Sequence, residues 1–452
     1  MAKTLILPAE ILSREFDARL LQAMFALDRG WRVVVGSKAL INRSIWRLPR
    51  GLYLCQTLTN SRLTMLKLLK KLGFVSFGWD EEGLIYLDRD VYLTRRVSSD
   101  TLNYLSALVS WGKEGAEDLD FRAIQAGLKA RPLGNPRFDL MRKELRGLHA
   151  DEVKNLRSRY GDFVLINSSF QSVNPIVNAD NYAAKKTEQK DRVTPNVAQR
   201  YESLKGHRER LFKDFLTMPE KLSRRFPGMT VIVRPHPAED IQVWQMAADS
   251  SSSFQVIREG TSAAWLLAAR AVIHNACTTA VEAAVIGHTP VAYCPEVSVD
   301  DESVLPNNIS YRATDLEALF DAVERATEGS LVMGADQTEI FARYVSGIEG
   351  PLATEHIMDM CDALHERNTK ATTPIAVQVA TRIFCAARHF YKSLRINHRT
   401  DVYIDKVFPT LSVSWVEDRA NLIAQALGME FQIDVRQIGN NIFYLDRVLL
   451  QK

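Results

Sequence analysis

Short apolar runs alternate with amphipathic stretches along most of this chain, and the alternation starts twice. In the first 150 residues TLILPAE, WRVVVGSK, GLYLCQTL and GFVSFGW read as strands, with helices over 14–28 and 63–72. Residues 105–111 read as a further strand, followed by the helix-like GKEGAEDLDFRAIQAGL. The pattern restarts with the strand DFVLINSSF at 162–170 and a helix over 197–216. MTVIVRPHP and SFQVI read as strands, AAWLLAARAVIHN as a helix running into a strand, TTAVEAAVIG as a helix, TPVAYC as a strand and 315–326 as a helix. Such alternation predicts parallel sheets covered by helices. Two starts predict two doubly wound α/β domains, over 1–155 and 156–350. Ligands of such sheets sit at the carboxyl ends of the strands, and two in tandem are expected to face a cleft.

The length agrees, since 452 residues exceed one ordinary core. Residues 351–452 read as an α+β extension: a helix over 351–367, a break at 369–374, a helix in SVSWVEDRANLIAQALG and a hairpin turning at Gly-Asn-Asn. The stretch 171–194 is polar without periodicity, which suggests a lid or a mobile segment. A net charge of +3 gives no electrostatic case for a nucleic-acid partner. No apolar run reaches the length of a membrane span. No signal-peptide pattern opens the chain, and the five scattered cysteines form no zinc spacing. An odd number of scattered thiols suits a reducing cytoplasm, which is the compartment expected.

IVRPHPAED, 232–240, ends a strand in a histidine between two prolines. Each proline fixes its own φ and biases the preceding residue to extended backbone, so Arg234 and His236 leave the strand stiffly. Taken alone this is a rigid turn with a surface histidine. Arg234 is a cation for a ligand or a partner for Glu239 or Asp240, and Asp240 also suits the cap of a helix starting near Ile241. In HNACTTAVEAAVIG a strand ends near His274, Asn275 follows, and Thr278 or Thr279 is placed to cap a helix whose N-terminus suits a phosphate. Glu282 has capping-box spacing from Thr279, or is free to accept from ribose hydroxyls. In FGWDEEG, Asp80, Glu81 and Glu82 cluster after a strand, so one carboxylate is expected to have a raised pKa and act as a base, unless the cluster is a solvated turn.

These motifs resemble a family. Thr-Thr-x-x-Glu-x4-Gly-x-x-Pro after a strand looks like the nucleotide-sugar site of GT-B glycosyltransferases. The acid-acid-Gly string with a later His-Pro resembles bacterial enzymes that use CMP-activated sugars. DEEG, GNPRFDL, LINSSF, RPHPAED and HNACTTAVEA together resemble bacterial surface-carbohydrate (capsule and O-antigen) biosynthesis proteins over roughly residues 70 to 330. The resemblance implies two Rossmann-like domains of GT-B architecture. It assigns Asp80 or Glu81 to the acceptor hydroxyl, and His236 with Arg234, Asn275, Thr278, Thr279 and Glu282 to the nucleotide and its phosphate. It adds Glu82, Asn135, Arg137, Ser168, Ser169, Glu239 and Asp240 as cleft residues. The donor is then a CMP-linked acidic sugar of the Kdo or sialic-acid type, acting as co-substrate, with no cofactor and no metal. DRD at 88–90 is a weak metal pair that suits a surface better. The acceptor is a glycan or glycolipid. GNPRFD, 134–139, also looks like the Gly-x-Pro-Arg-x-Asp segment of teichoic-acid polymerases, which makes a CDP-polyol phosphotransferase the alternative. A UDP-sugar transferase or 2-epimerase of the same build and a non-enzymatic assembly factor are further alternatives.

The segment 382–399 carries Arg382, Arg388, Lys392, Arg395 and Arg399 among Phe384, Phe390 and Tyr391. Cations interleaved with aromatics suit a helix lying on anionic lipid, or a solvated helix packed by its apolar side. The first reading places the protein peripherally at the inner membrane surface.

Overall fold

The computed structural model describes residues 3–86, 88–176, 195–296, 298, 304–368, 373–393 and 407–448. The chain forms two compact units. One comprises residues 1–84, 88–148 and 342–452, the other 85–87 and 149–341.

The first unit is built on an eight-stranded sheet. Its strands are β1 (Thr4–Ala9), β2 (Arg32–Ser37), β3 (Leu52–Cys55), β4 (Val75–Gly78), β5 (Ala107–Ser110), β6 (Ala130–Pro132), β13 (Gln432–Gly439) and β14 (Ile442–Val448), in the order 13-14-2-1-3-4-5-6. β1 to β6 are all parallel. β1 is buried at all six positions, because a central parallel strand is covered on both faces. The helix Leu12–Asp28 lays Phe16, Leu20, Leu21 and Met24 on the sheet, with Leu5, Leu7, Val33 and Val35 in the same core.

Residues 351–452 do not form a unit of their own. The helix Ala353–Asn368 and the helix Val413–Ala426 pack Ile357, Met358, Cys361, Val416, Ala420 and Ile423 into this core. The hairpin β13–β14 adds to the sheet edge, β14 running antiparallel to β2. The expected Gly-Asn-Asn turn is present, with Asn441 at φ 46° and its side chain donating to the carbonyls of Phe408 and Pro409. Gly36 of β2 makes this approach possible: a Cβ there would lie 2.1 Å from the Asn441 oxygen.

The second unit has a six-stranded sheet of β7 (Phe163–Asn167), β8 (Thr230–Arg234), β9 (Gln255–Val256), β10 (Ala271–His274), β11 (Val291–Tyr293) and β12 (Tyr311–Ala313). Its order is 12-11-10-7-8-9 and every pair is parallel. The helix read over 197–216 runs over Pro195–Arg225, past Pro219. Its buried residues Leu211, Phe215, Met218 and Leu222 recur at helical spacing on both sides of that proline, so burial of one face carries the helix through it. β6, the short strand just before Gly134, lies at a sheet edge with two of its three residues exposed. Of the polar stretch 171–194, residues 177–194 lie outside the described residues.

Candidate functional site

Each unit collects its sequence-predicted residues at the carboxyl end of its own parallel sheet. In the second unit β7, β8 and β9 step to one side and β10, β11 and β12 to the other, so the strand order reverses between β7 and β10. That reversal is where open α/β sheets leave a ligand crevice. Asn167 ends β7 there and Ser168 and Ser169 follow it, and Asn275 follows β10. Asn275 Oδ1 accepts from Ser169 N at 2.8 Å, which joins the two strand ends. The next strand out, β8, delivers Arg234 and the Pro-His-Pro turn.

Glu239 organises that turn. It is fully buried and accepts from Ser168 Oγ at 2.9 Å, Phe170 N at 2.9 Å, His236 N at 3.1 Å and Trp244 Nε1 at 3.0 Å. Burying a carboxylate is tolerable only with such a set of donors. Glu239 is therefore a hub that shapes the turn, enclosed where a cleft residue was expected. Ser168 is committed to it, and Ser169 Oγ bonds Gln171 Oε1 at 3.1 Å. Arg258 closes the turn from outside, donating to the Glu239 carbonyl at 2.7 Å. Asp240 takes the capping alternative, accepting from Gln242 N at 2.9 Å at the start of the helix Ile241–Ser251.

His236 is left exposed at the tip. Its Nδ1 accepts from Ala238 N at 3.1 Å, which puts the proton of the neutral ring on Nε2. Arg234 pairs with neither Glu239 nor Asp240. Its guanidinium donates to the carbonyls of Glu259 at 3.0 Å and Gly260 at 3.2 Å and lies over the Trp265 ring at 5.0 Å. Burial pulls its pKa down to about 10, against the opposing charges of Glu152, Glu282 and Glu259.

The β10 loop differs in detail from its sequence reading. The helix starts at Thr278, and Cys277 stands at the cap position with no side-chain hydrogen bond to the helix N–H groups. Neither Thr278 nor Thr279 caps it, because the chain turns one residue earlier than a threonine cap requires. Thr278 is exposed, and Thr279 Oγ1 bonds Cys277 Sγ. No capping box forms with Glu282, which is buried on the same helix and interacts electrostatically with Arg234. Ala276, in the same loop, has φ 64°, a left-handed conformation that alanine adopts at a cost. Beneath it His274 is completely buried, its Nδ1 accepting from Ala276 N at 2.9 Å and its Nε2 against Ser310 Oγ at 2.8 Å. Burial drives the His274 pKa down to about 3.

In the first unit the order reverses between β1 and β3. Glu10 follows β1, Gln56 follows β3, and the Asp80–Glu81–Glu82 string follows β4. Gln56 Nε2 donates to the Pro8 carbonyl and to Glu15, both at 2.8 Å, and Glu81 N donates to the Gln56 carbonyl at 3.1 Å. Asp80 and Glu81 are both buried, so the solvated-turn reading fails for them. Asp80 is held by both sides of the Arg96 guanidinium, Nε at 2.7 Å and Nη2 at 2.6 Å. Burial still wins over that cation and raises the Asp80 pKa. For Glu81 burial also acts upward, but Arg19, Arg137 and Trp79 together hold its pKa below the usual range. Arg19 bonds Glu81 Oε1 directly, Trp79 Nε1 donates to it at 2.9 Å, and Arg137 Nη1 lies 3.9 Å from Oε2. Two adjacent carboxylates are thus driven in opposite directions, a pattern that separates a proton-taking group from a permanent charge. Glu82 alone is exposed, paired with Arg14 at 2.8 Å.

Asn135 and Asp139 of the Gly134–Asp139 segment are committed to structural hydrogen bonds. Asn135 caps the short helix Pro136–Asp139 by accepting from Arg137 N at 3.0 Å. Asp139 accepts from Ala353 N and from Thr354 N and Oγ1. Asp88 of the DRD string caps the helix Arg89–Arg96. Among the described residues no group of His, Cys, Asp and Glu could hold a metal ion. Arg19, Arg96, Gln56 and Arg258 were missed from sequence. Arg19 left a trace, as the one cation in the mostly apolar run ARLLQAMFAL. Arg96, Gln56 and Arg258 left none.

No protein-family model matches the sequence, and no characterised protein matches it. Solved structures do match in fold. A UDP-N-acetylglucosamine 2-epimerase superposes with a TM-score of 0.50 at 9% identity, covering 82% of this chain and 98% of its own. The UDP-GlcNAc 2-epimerase from Methanocaldococcus jannaschii gives 0.49 at 12% identity, over 80% of this chain and all of its own length (100%). A wall teichoic acid polymerase gives 0.48 at 8% identity, over 81% of this chain and 90% of its own. The fold is α/β of the GT-B class, with two Rossmann-like sheets, the second wholly parallel and the first parallel over β1 to β6.

Proposed function

We propose that this protein is a glycosyltransferase that moves an acidic sugar of the Kdo or nonulosonate type from a CMP-activated donor to a hydroxyl of a cell-surface polysaccharide or lipid-linked acceptor. The observation that carries the reading is the strand-order reversal of the second unit. There the open N-terminus of the helix Thr278–Ile286, the Asn275–Ser169 link and the exposed His236 stand on the carboxyl ends of three adjacent strands. A helix N-terminus and a donating imidazole suit the single phosphate that leaves with CMP, where negative charge develops. Glu282 serves the ribose. Arg234, tied to carbonyls, contributes charge from beneath.

In the first unit Asp80 takes the proton of the acceptor hydroxyl, because a base works best when its pKa rises towards the working pH. Glu81 stays ionised and, through Arg19 and Arg137, holds the Asp80 loop in place. With Asp80 as base the transfer inverts the anomeric configuration.

The test is a thermal-shift titration with CMP, CDP, UMP, UDP and GDP on wild type and His236→Ala. A ligand that binds only the folded state stabilises it by mass action. The expected result is stabilisation by CMP above the others, weakened in His236→Ala. A preference for UDP overturns the donor assignment in favour of a UDP-sugar transferase or 2-epimerase. A preference for CDP favours a polyol phosphotransferase. No shift with any nucleotide favours a non-enzymatic assembly factor.

A further inference from the structure

The helix Ile375–Ser393 turns its polar side inward and its apolar side out. It packs against the helix Leu63–Leu72 and the turn Ile45–Arg47. The inward side carries Gln378, whose Oε1 accepts from Arg50 Nη1 at 3.0 Å, and Arg382, which donates to the carbonyls of Trp46 and Leu48. Arg382 is thus used within the unit and does not face outward as its basic surroundings suggested. At about 100° per residue, Ala376, Val377, Val379, Ala380, Ile383, Phe384 and Ala387 share the opposite arc. All seven are exposed, Ile383 and Phe384 by 64% each. The only charge described along that arc is Arg388 at its edge. A helix on a water-facing surface shows the reverse arrangement, and a continuous apolar face marks a contact site.

Charge decides what the contact is with. The three segments on this side, 38–50, 63–72 and 375–393, contain no aspartate or glutamate. Arg43, Arg47, Lys67, Lys70, Lys71 and Arg388 on them are exposed. A protein partner surface is normally met by charges of both signs, whereas apolar residues flanked only by cations complement anionic phospholipid. No helix among the described residues is long and apolar enough to cross a membrane.

We propose that this face lies on an anionic phospholipid surface. The arc around Ile383 and Phe384 enters the boundary between headgroups and acyl chains, and the surrounding lysines and arginines meet lipid phosphates. The proposal does not rest on the transferase reading, because lipid binding is read without nucleotide or turnover.

The test is flotation of the full chain with vesicles of phosphatidylglycerol and phosphatidylcholine in equal parts, and with phosphatidylcholine alone. The variants are Ile383→Glu/Phe384→Glu and Lys70→Glu/Lys71→Glu, all at exposed positions, with retained folding checked by circular dichroism. Wild type is expected to float with the anionic vesicles and not with phosphatidylcholine. Removing two inserted apolar side chains should weaken partitioning roughly tenfold or more. The lysine reversal should weaken it too. Absence of wild-type binding, equal binding to both vesicle types, or equal binding by wild type and Ile383→Glu/Phe384→Glu overturns the proposal. A wild-type dimer that ignores vesicles and becomes monomeric in Ile383→Glu/Phe384→Glu overturns it in favour of a second copy of the chain.

Discussion

His274 shows how much one buried residue can set the behaviour of its unit. Its imidazole is enclosed and bonded as the neutral ring, with its pKa lowered to about 3 from the ordinary 6.5. Between those values the unfolded chain binds a proton that the folded one does not, so stability rises with pH across that window. Acidification from pH 6.5 towards 3 should therefore weaken the second unit by about 1.4 kcal/mol per pH unit from this group. Urea denaturation of wild type and His274→Gln across that range checks it: the variant should show the flatter profile, and parallel profiles would refute it. The sequence places His274 at a strand end, but its partner Ser310, 36 residues further on, is supplied only by the fold. The same holds for Asp80 and Glu81. Their clustering is legible in DEEG, but their opposite titration is not, because tertiary burial raises Asp80 against Arg96 while Arg19 and Arg137, distant in the sequence, lower Glu81.

At the scale of elements, the loop after β4 is held to the helix Leu12–Asp28 by a buried ion pair. Arg19 is completely buried and also donates to the Pro8 carbonyl at 3.1 Å, so one side chain links the ends of β1 and β4. Breaking such a pair leaves a carboxylate uncompensated. Arg19→Met should cost about 3–5 kcal/mol in a chemical denaturation of the first unit. Adding Glu81→Gln removes the orphaned charge, so the double variant should lose less than the two single variants together. Additive losses would mean that the two residues are not coupled. At the switch point of the second unit the strand ends are joined by a neutral bond, Asn275 Oδ1 accepting from Ser169 N. There a backbone device does the positioning: Ala276 in a left-handed conformation and an uncapped helix start. From sequence a threonine cap was the natural reading, since threonine is a favoured cap. The register of the turn, decided by how β10 packs, put Cys277 in that place.

At the scale of the molecule, each unit is built on a run of parallel strands with the candidate site residues in loops at their carboxyl ends, but only the first borrows from the end of the chain. Phe408, Val416, Ile423, Phe443 and Leu445 are fully buried in its core. At about 1.5–3 kcal/mol for each buried side chain, their loss rivals the whole stability of a domain. Removal of 407–452 should also bare the β2 edge. The truncated chain should be insoluble, or its first unit cleaved rapidly in limited proteolysis; a stable, soluble truncation would show that the unit closes without the hairpin. The alternation of apolar strands and amphipathic helices is a local property of the residues, since periodicity and turn residues act over a few positions. It was enough to determine the runs of parallel strands, most of the helices and the hairpin, and the sequence motifs fall at the carboxyl ends of those strands. Tertiary structure alone decided that residues 351–452 complete the first unit, that Glu239 is a buried hub, and that Arg19, Arg96 and Gln56 surround the carboxylates. It also decided that the helix Ile375–Ser393 faces outward with its apolar side. Each of these depends on which distant segment is nearby, and the free energy of burying a charge or an apolar face is set by those neighbours.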